Sequence, residues 1–228
     1  MRIGGFQKFS LIDYPGKICA IIFTQGCNFR CPYCHNPELV LPEKFTELIP
    51  EEQVFSFLES RRGKLEAVEF TGGEPTLQPD LIDVIQKIKK MGFLVKLDSN
   101  GSNPDILQKI ADLDIVDYFA MDIKAPLEKY QEITRSDIGS EKIAQSIKII
   151  MNSGKAYEFR TTVVKPLLVK EDFDKIGKLI QGAEFYAFQK FENKKVLSPS
   201  LFLTEHSLEE LQEFCATMKK YVQKCVVR

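Results

Sequence analysis

Three of the chain's six cysteines fall within eight residues, spaced Cys27-x3-Cys31-x2-Cys34. Three thiolates so spaced in one tight loop can bind three corners of a cubane iron-sulfur cluster. No fourth ligand is evident. Electron-transfer clusters normally take four cysteines and leave each iron coordinatively full, whereas three leave one iron with a free position, as an open catalytic metal site does. Zinc is the competing reading, because His35 would complete a three-cysteine, one-histidine tetrahedron. Against it, Cys34 and His35 are adjacent, and zinc motifs usually come as two short pairs, of which no second lies within reach. Cys19, Cys215 and Cys225 stand apart, too few and too scattered for another cubane, and read as small buried hydrophobes.

Further polar and glycine-rich stretches punctuate the first half of the chain. In Gly72-Gly73-Glu74-Pro75 the glycines allow close backbone approach and the carboxylate can pair with an ammonium, although such a loop is also an ordinary turn opening a helix. Asp98-Ser99-Asn100-Gly101 and Asp122-Ile123-Lys124 follow. Their bland readings are a strand-end Asx turn and a surface ion pair. Arg160 and Gln189 are polar residues inside apolar runs. A buried charge is costly unless paired, so Arg160 points either into a polar interior or, at an edge, to solvent. His206, beside Ser207, reads as a helix-capping or surface residue, and Asp13 as part of a turn with Pro15 and Gly16.

What must position these groups is an alternation of elements. Runs rich in β-branched and aromatic residues read as strands over 18–24, 67–71, 94–98, 118–122, 158–164 and 184–189. Between them lie helical patterns over 51–61, 79–91, 104–113, 141–152, 171–180 and 207–221, for example Val54, Phe55 and Leu58 at helical spacing in the first. Strand then helix, six times, predicts a parallel sheet with right-handed crossovers and helices outside. Eight units close a full barrel, so six predict an α/β fold of the open, partial (β/α)6 TIM-like barrel type, with a doubly wound sheet as runner-up. In both, ligands sit at the carboxyl edge of the strands. The cysteine loop, Gly72 to Pro75, Asp98 to Gly101 and Asp122 to Lys124 all fall there.

A chain of 228 residues with 44% hydrophobic content can bury a sizeable core, and no repeat, linker or low-complexity tract marks a boundary, so residues 1–228 are read as one domain. Lys and Arg total 31 against 32 Asp and Glu, a formal charge of -1, which gives no basic field for nucleic acid. The longest early apolar run, 18–23, is too short for a secretory signal core or a membrane span. The expected location is the reducing cytoplasm, where clustered cysteines more often bind metal than pair.

The run Phe23-Thr24-Gln25-Gly26-Cys27-Asn28-Phe29-Arg30-Cys31-Pro32-Tyr33-Cys34-His35-Asn36-Pro37 resembles the signature of the radical S-adenosylmethionine superfamily. With Ser10-Leu11-Ile12-Asp13-Tyr14-Pro15-Gly16-Lys17 before it, the likeness narrows to the glycyl-radical activating enzymes, in particular the group that activates anaerobic ribonucleoside-triphosphate reductase. It extends through Gly72–Pro75, Asp98–Gly101 and Asp122–Lys124, and thins beyond about residue 125.

The resemblance implies that Cys27, Cys31 and Cys34 ligate a 4Fe-4S cluster, whose unique iron chelates the amino and carboxylate groups of S-adenosylmethionine. Reductive cleavage then yields a 5′-deoxyadenosyl radical that abstracts hydrogen from a glycine of a partner enzyme. By the same resemblance, Gly72, Gly73 and Glu74 bind the methionyl amino group. Tyr33 and His35 lie against the adenine. Asp98 and Asn100 contact the ribose or the methionyl carboxylate, and Asp122 with Lys124 handles that carboxylate. The implied partners are the anaerobic reductase and a flavodoxin or ferredoxin-type electron donor. Alternatives are activation of pyruvate formate-lyase and small-molecule chemistry resembling 7-carboxy-7-deazaguanine synthase. A non-catalytic, zinc-stabilised binding domain is the reading furthest from these.

Overall fold

The computed structural model describes residues 1–228. Strand β1 (Ile3–Ser10) runs antiparallel to β2 (Cys19–Thr24), which leads through the cysteine loop into helices α1 (Pro37–Val40) and α2 (Glu51–Ser60). Next come β3 (Ala67–Gly72), α3 (Leu81–Lys90), β4 (Leu94–Ser99), α4 (Pro104–Asp112), β5 (Tyr118–Asp122), α5 (Tyr130–Thr134) and α6 (Ser140–Met151). The chain ends with β6 (Ala156–Lys165), α7 (Lys170–Leu179), β7 (Phe185–Lys190), β8 (Thr204–Glu205), α8 (Leu208–Met218) and β9 (Lys224–Val227).

The helices form where an apolar stripe can be buried. In α3 that stripe is Leu81, Val84, Ile85 and Ile88, the last turn carries Lys87, Lys89 and Lys90 against the negative helix end, and Gly92 follows at φ 92°. Pro104 starts α4 at a position where a missing N–H costs nothing. Ser207 caps α8, accepting from the Glu210 amide while Glu210 accepts from the Ser207 amide.

Strands β2 to β7 pair in sequential order, all parallel. A doubly wound sheet reverses its strand order at a switch point. No such reversal occurs here, so the runner-up architecture falls and the open, partial barrel stands. Three strands add to the expected six. β1 covers the β2 edge, β9 extends the other edge parallel to β7, and the two-residue β8 pairs with the end of β6. Pairing to a buried neighbour, rather than their own polar or very short sequences, makes β1, β8 and β9 strands.

The main core, 51 buried residues, includes outward-facing Val68, Phe70, Val95, Leu97, Phe119 and Phe159, packed beneath the helices. Alternation along a strand then turns Glu69, Lys96, Asp98, Glu158 and Arg160 inward. At the amino-terminal end, Tyr14, Cys19, Ile21 and Ala67 form a small apolar cluster.

Cys19 is the buried packing thiol expected of it, but Cys215 and Cys225 are joined in a disulfide. Helix α8 folds back on β9 and brings their Cα atoms to 5.6 Å, a proximity that ten residues of sequence separation does not disclose. His206 is also not a surface residue. Its ring is 6% exposed and packs edge-on against Phe214, while Ser207 does the capping. Beyond its turn with Ser10, Asp13 offers its carbonyl to Lys96 Nζ at 2.7 Å.

Candidate active site

At the carboxyl edge of the sheet a cavity of about 220 Å³ is lined by Cys27, Cys31, Tyr33, Cys34, His35, Gly72, Gly73, Glu74, Asp98, Ser99, Asn100, Asp122 and Lys124, with Arg160 and Thr162. Every candidate residue named from the sequence for cluster or cofactor is therefore in one place. Gln189 is not in the wall; on β7 it accepts from the Thr162 hydroxyl at 3.4 Å. Phe29, Asn36, Val40, Thr71 and Thr162 also line the cavity and were not singled out. Nothing in their types or spacing marks them.

The cysteine loop is anchored on three sides. Arg30 Nη1 donates to the carbonyls of Cys27 at 2.6 Å and Phe29 at 2.8 Å, and the Arg30 amide donates to Thr134 at 2.7 Å. Asn100 Nδ2 donates to Asn28 Oδ1 at 2.9 Å and lies 3.9 Å from Cys27 Sγ, tying the loop to the end of β4. The Phe29 amide points at the same sulfur from 3.4 Å. Such donors lower the charge a cluster-bound sulfur must carry.

Burial pushes the Cys27 thiol up to about 12 and that of Cys31 to about 11, and raises Cys34 for the same reason. Metal loading must therefore displace protons and is favoured by rising pH. The three thiols do not gather closely enough, with any neighbouring His, Asp or Glu, around a single point to grip one ion. His35, the fourth ligand a zinc tetrahedron would need, is instead stacked on Phe191 with Nε2 at the Glu192 carbonyl, and three thiols without it fit a cluster with one open iron.

Gly72 and Gly73 are required by contact. Gly72 has φ 103°, and a Cβ on Gly73 would stand 2.1 Å from the Gly26 carbonyl oxygen. The two loops are stitched by Gly73 N–H to Thr24 O and Glu74 N–H to Gly26 O, both 2.8 Å. Glu74 is fully buried and accepts from the Thr76 amide and hydroxyl, the Ser99 hydroxyl and the Asn100 amide, at 2.6 to 3.1 Å. Burial raises its pKa, with those donors opposing.

Tyr33 is buried beneath Lys124, whose Nζ is 6.0 Å from the ring centroid, and its hydroxyl has no hydrogen-bond partner. Other atoms of Tyr33 contribute to the cavity wall, so the residue borders the site while its hydroxyl stays buried. His35 lies at the rim, stacked on Phe191 at 5.5 Å, with Nε2 2.9 Å from the Glu192 carbonyl.

Across the cavity floor Arg160 joins two strand ends, Nε to Asp122 Oδ1 and Nη2 to Asp98 Oδ2, each 2.7 Å. The alternatives left open for Arg160 resolve in favour of the interior. Lys124 pairs with Asp122 Oδ2 at 3.0 Å, inside the cavity and not at the surface. Burial alone would raise Asp98 and Asp122, but Arg160, with Lys96 beside the first and Lys124 beside the second, overcomes it and holds both below the usual carboxylate range.

Comparison with known proteins assigns the class. Residues 21–181 match the Radical SAM superfamily. The chain is 34% identical over 232 aligned residues, 99% of its length and 95% of the relative's, to a Methanocaldococcus jannaschii protein assigned by name to the glycyl-radical enzyme activating enzymes. It is 32% identical to the pyruvate formate-lyase-activating enzyme of Clostridium pasteurianum, over 79% of this chain and 76% of that one. Among solved structures, archaeal TYW1 superposes with a TM-score of 0.60 at 17% identity, covering 90% of this chain and 72% of that one. Streptococcus suis SuiB bound to S-adenosylmethionine gives 0.64 at 13%, covering 91% and 51%. These two bear on fold alone. The chain belongs to the radical S-adenosylmethionine superfamily and, within it, to the glycyl-radical enzyme activating enzymes, whose cofactors are a 4Fe-4S cluster and S-adenosylmethionine.

Proposed function

We propose that the whole chain, acting as one domain in the cytoplasm, installs a glycyl radical on anaerobic ribonucleoside-triphosphate reductase, with a flavodoxin or ferredoxin-type protein as electron donor. The observation that carries the site assignment is the convergence of three thiols, one buried and two half-buried, a carboxylate preceded by two glycines and two strand-end carboxylates with their cations on one cavity. The choice of reductase rests on the runs Ser10 to Lys17 and Phe23 to Pro37.

In this reading Cys27, Cys31 and Cys34 hold the cluster, and S-adenosylmethionine fills the remainder of the cavity. When bound, the two supply the electron and the 5′-deoxyadenosyl radical that takes hydrogen from glycine. The chain's own groups bind and orient. Lys124 presents an ammonium to the methionyl carboxylate, and on the oppositely charged side the backbone of Gly72 and Gly73, with the buried Glu74 carboxylate behind it, meets the amino group. Asp98 and Asn100 border the ribose side. Tyr33, on the cavity wall, and His35, stacked on Phe191, flank the adenine. Burial of Cys31 and Tyr33 keeps water from the inner end of the cavity.

The test is anaerobic reconstitution, reduction and incubation with S-adenosylmethionine and, in parallel, anaerobic reductase or pyruvate formate-lyase. The reading requires deoxyadenosine and a glycine-centred doublet by electron paramagnetic resonance with the reductase. A doublet only with formate-lyase transfers the assignment to that partner, and no deoxyadenosine in either arm rejects the chemistry.

A further inference from the structure

The inward face of the sheet carries charges that cofactor binding alone does not explain. Arg160 rises from β6 and reaches across β5 to the end of β4. Its side chain is 12% exposed, and two of its three nitrogens are committed to carboxylates on different strands. The third, Nη1, stands 3.9 Å from Glu158 Oε1. Asp98 is held from every side: Oδ2 also accepts from the Thr71 hydroxyl at 3.1 Å, and Oδ1 lies 3.0 Å from Lys96 Nζ. Lys96 is itself shared with Glu69 at 2.9 Å and with the Asp13 carbonyl.

Asp98, buried, and Asp122, half-buried, are like charges at neighbouring strand ends, and without a cation between them each would repel the other. A guanidinium is suited to the task because its N–H vectors diverge in a rigid plane, so one group fixes the spacing of two carboxylates. An ammonium in the same place is a point charge on a flexible stem. Arg160 also decides what Lys124 can do. Asp122 divides its two oxygens between Arg160 and Lys124. If Arg160 were removed, Lys124 would be the only cation left on Asp122, and its charge would be drawn inward from the cavity.

We propose that Arg160 is a positioning residue for S-adenosylmethionine: its guanidinium is a built-in counter-cation that sets the separation of Asp98 and Asp122 and so lets Lys124, held on the other oxygen of Asp122, present its charge to an anionic group of the ligand. This rests on S-adenosylmethionine occupying the cavity, as read above. It adds a role for a residue that makes its contacts through Asp98 and Asp122.

The experiment uses the anaerobically reconstituted full chain as wild type, Arg160→Met and Arg160→Lys. It reads iron and sulfide content, the urea midpoint of the apoprotein, and S-adenosylmethionine affinity by equilibrium dialysis. Arg160→Met should weaken binding by about tenfold or more, the scale of a lost charge-assisted contact, with cluster content unchanged. Arg160→Lys, which reaches only one carboxylate, should fall between. Added methylguanidinium should restore part of the affinity of Arg160→Met where the same concentration of sodium chloride does not. Affinities within about threefold of wild type in both variants would overturn the proposal. So would a loss that methylguanidinium leaves untouched. If Arg160→Met does not fold, Arg160→Lys carries the first criterion alone. Failure of wild type to bind would instead remove the cofactor assignment on which the inference stands.

Discussion

Replacing Gly73 by Ala tests whether the cysteine loop and the glycine loop form one rigid unit. The added Cβ would lie 2.1 Å from the Gly26 carbonyl oxygen, 2.8 Å from its carbon and 3.1 Å from Thr24 O. All three are backbone atoms, so no flexible side chain can turn away. Ordinary contact at 3.4 Å requires the loops to part by about 1.3 Å. That movement would carry the two 2.8 Å bonds, Gly73 N–H to Thr24 O and Glu74 N–H to Gly26 O, to about 4 Å, outside hydrogen-bonding range. Each is worth about 1 kcal/mol net, and stranding their buried partners costs more, whereas the stiffer unfolded chain returns about 0.4–1 kcal/mol. The expected loss is about 2–4 kcal/mol, read as a lower urea midpoint of the apoprotein with an unchanged slope. Because Gly26 adjoins Cys27, iron bound after reconstitution should fall as well. A loss below about 1 kcal/mol with full iron loading would refute the claim that these two loops are locked by contact.

Three further outcomes follow from the site and its surroundings. Cys31→Ala should abolish deoxyadenosine formation while the apoprotein unfolds at nearly the wild-type urea concentration; collapse of the fold would instead favour a structural metal. Alkylation of the air-exposed, unfolded apoprotein should modify the four free cysteines, Cys19, Cys27, Cys31 and Cys34, and prior reduction should add Cys215 and Cys225; labelling of all six without reductant would contradict the pairing. Burial lowers the His206 pKa from its ordinary 6.5, with Lys165 in the same direction and Glu210 opposing. The unfolded chain therefore binds that proton more tightly, and the contribution of His206 to stability is full above about 6.5 and declines as pH falls through it. The apoprotein's urea midpoint should drop more between about pH 7.5 and pH 5.5 in wild type than in His206→Gln, and parallel profiles would remove the residue from the pH response.

Hydrophobic patterning revealed the six central strands because each buries β-branched and aromatic residues beneath a helix: Val68 and Phe70 on β3, Val95 and Leu97 on β4, Phe159 on β6. It missed β1, whose Gly4, Gln7 and Lys8 read as loop, because an edge strand can be held by pairing while its side chains stay wet. It missed β9, only four residues long, for want of any periodicity to detect. The site loops were legible for another reason. Cys27, Gly72, Asp98 and Asp122 each stand at or just beyond a strand end, and parallel strands send all such ends to one edge.

Which face of a strand turns inward is a different matter. Alternation identifies residues that share a face, but Glu69, Lys96 and Glu158 look in the sequence like the solvent side of half-exposed strands. In a sheet whose helices cover the outer face, that side becomes the barrel interior, and the charges must satisfy one another. They do so along a continuous line: Lys96 pairs with Glu69 and Asp98, Arg160 with Asp98 and Asp122, and Arg228, from the chain's last residue, with Glu158. Burial and the Asp98 charge push the Glu69 carboxyl up, and Lys96 beside it opposes the shift. The polar interior thus continues downward from the cavity rather than forming a second feature beside it. Its cations, Lys96 and Arg160, hold the carboxylates that the cavity exposes, so the strands that build the fold also set the charge of the site.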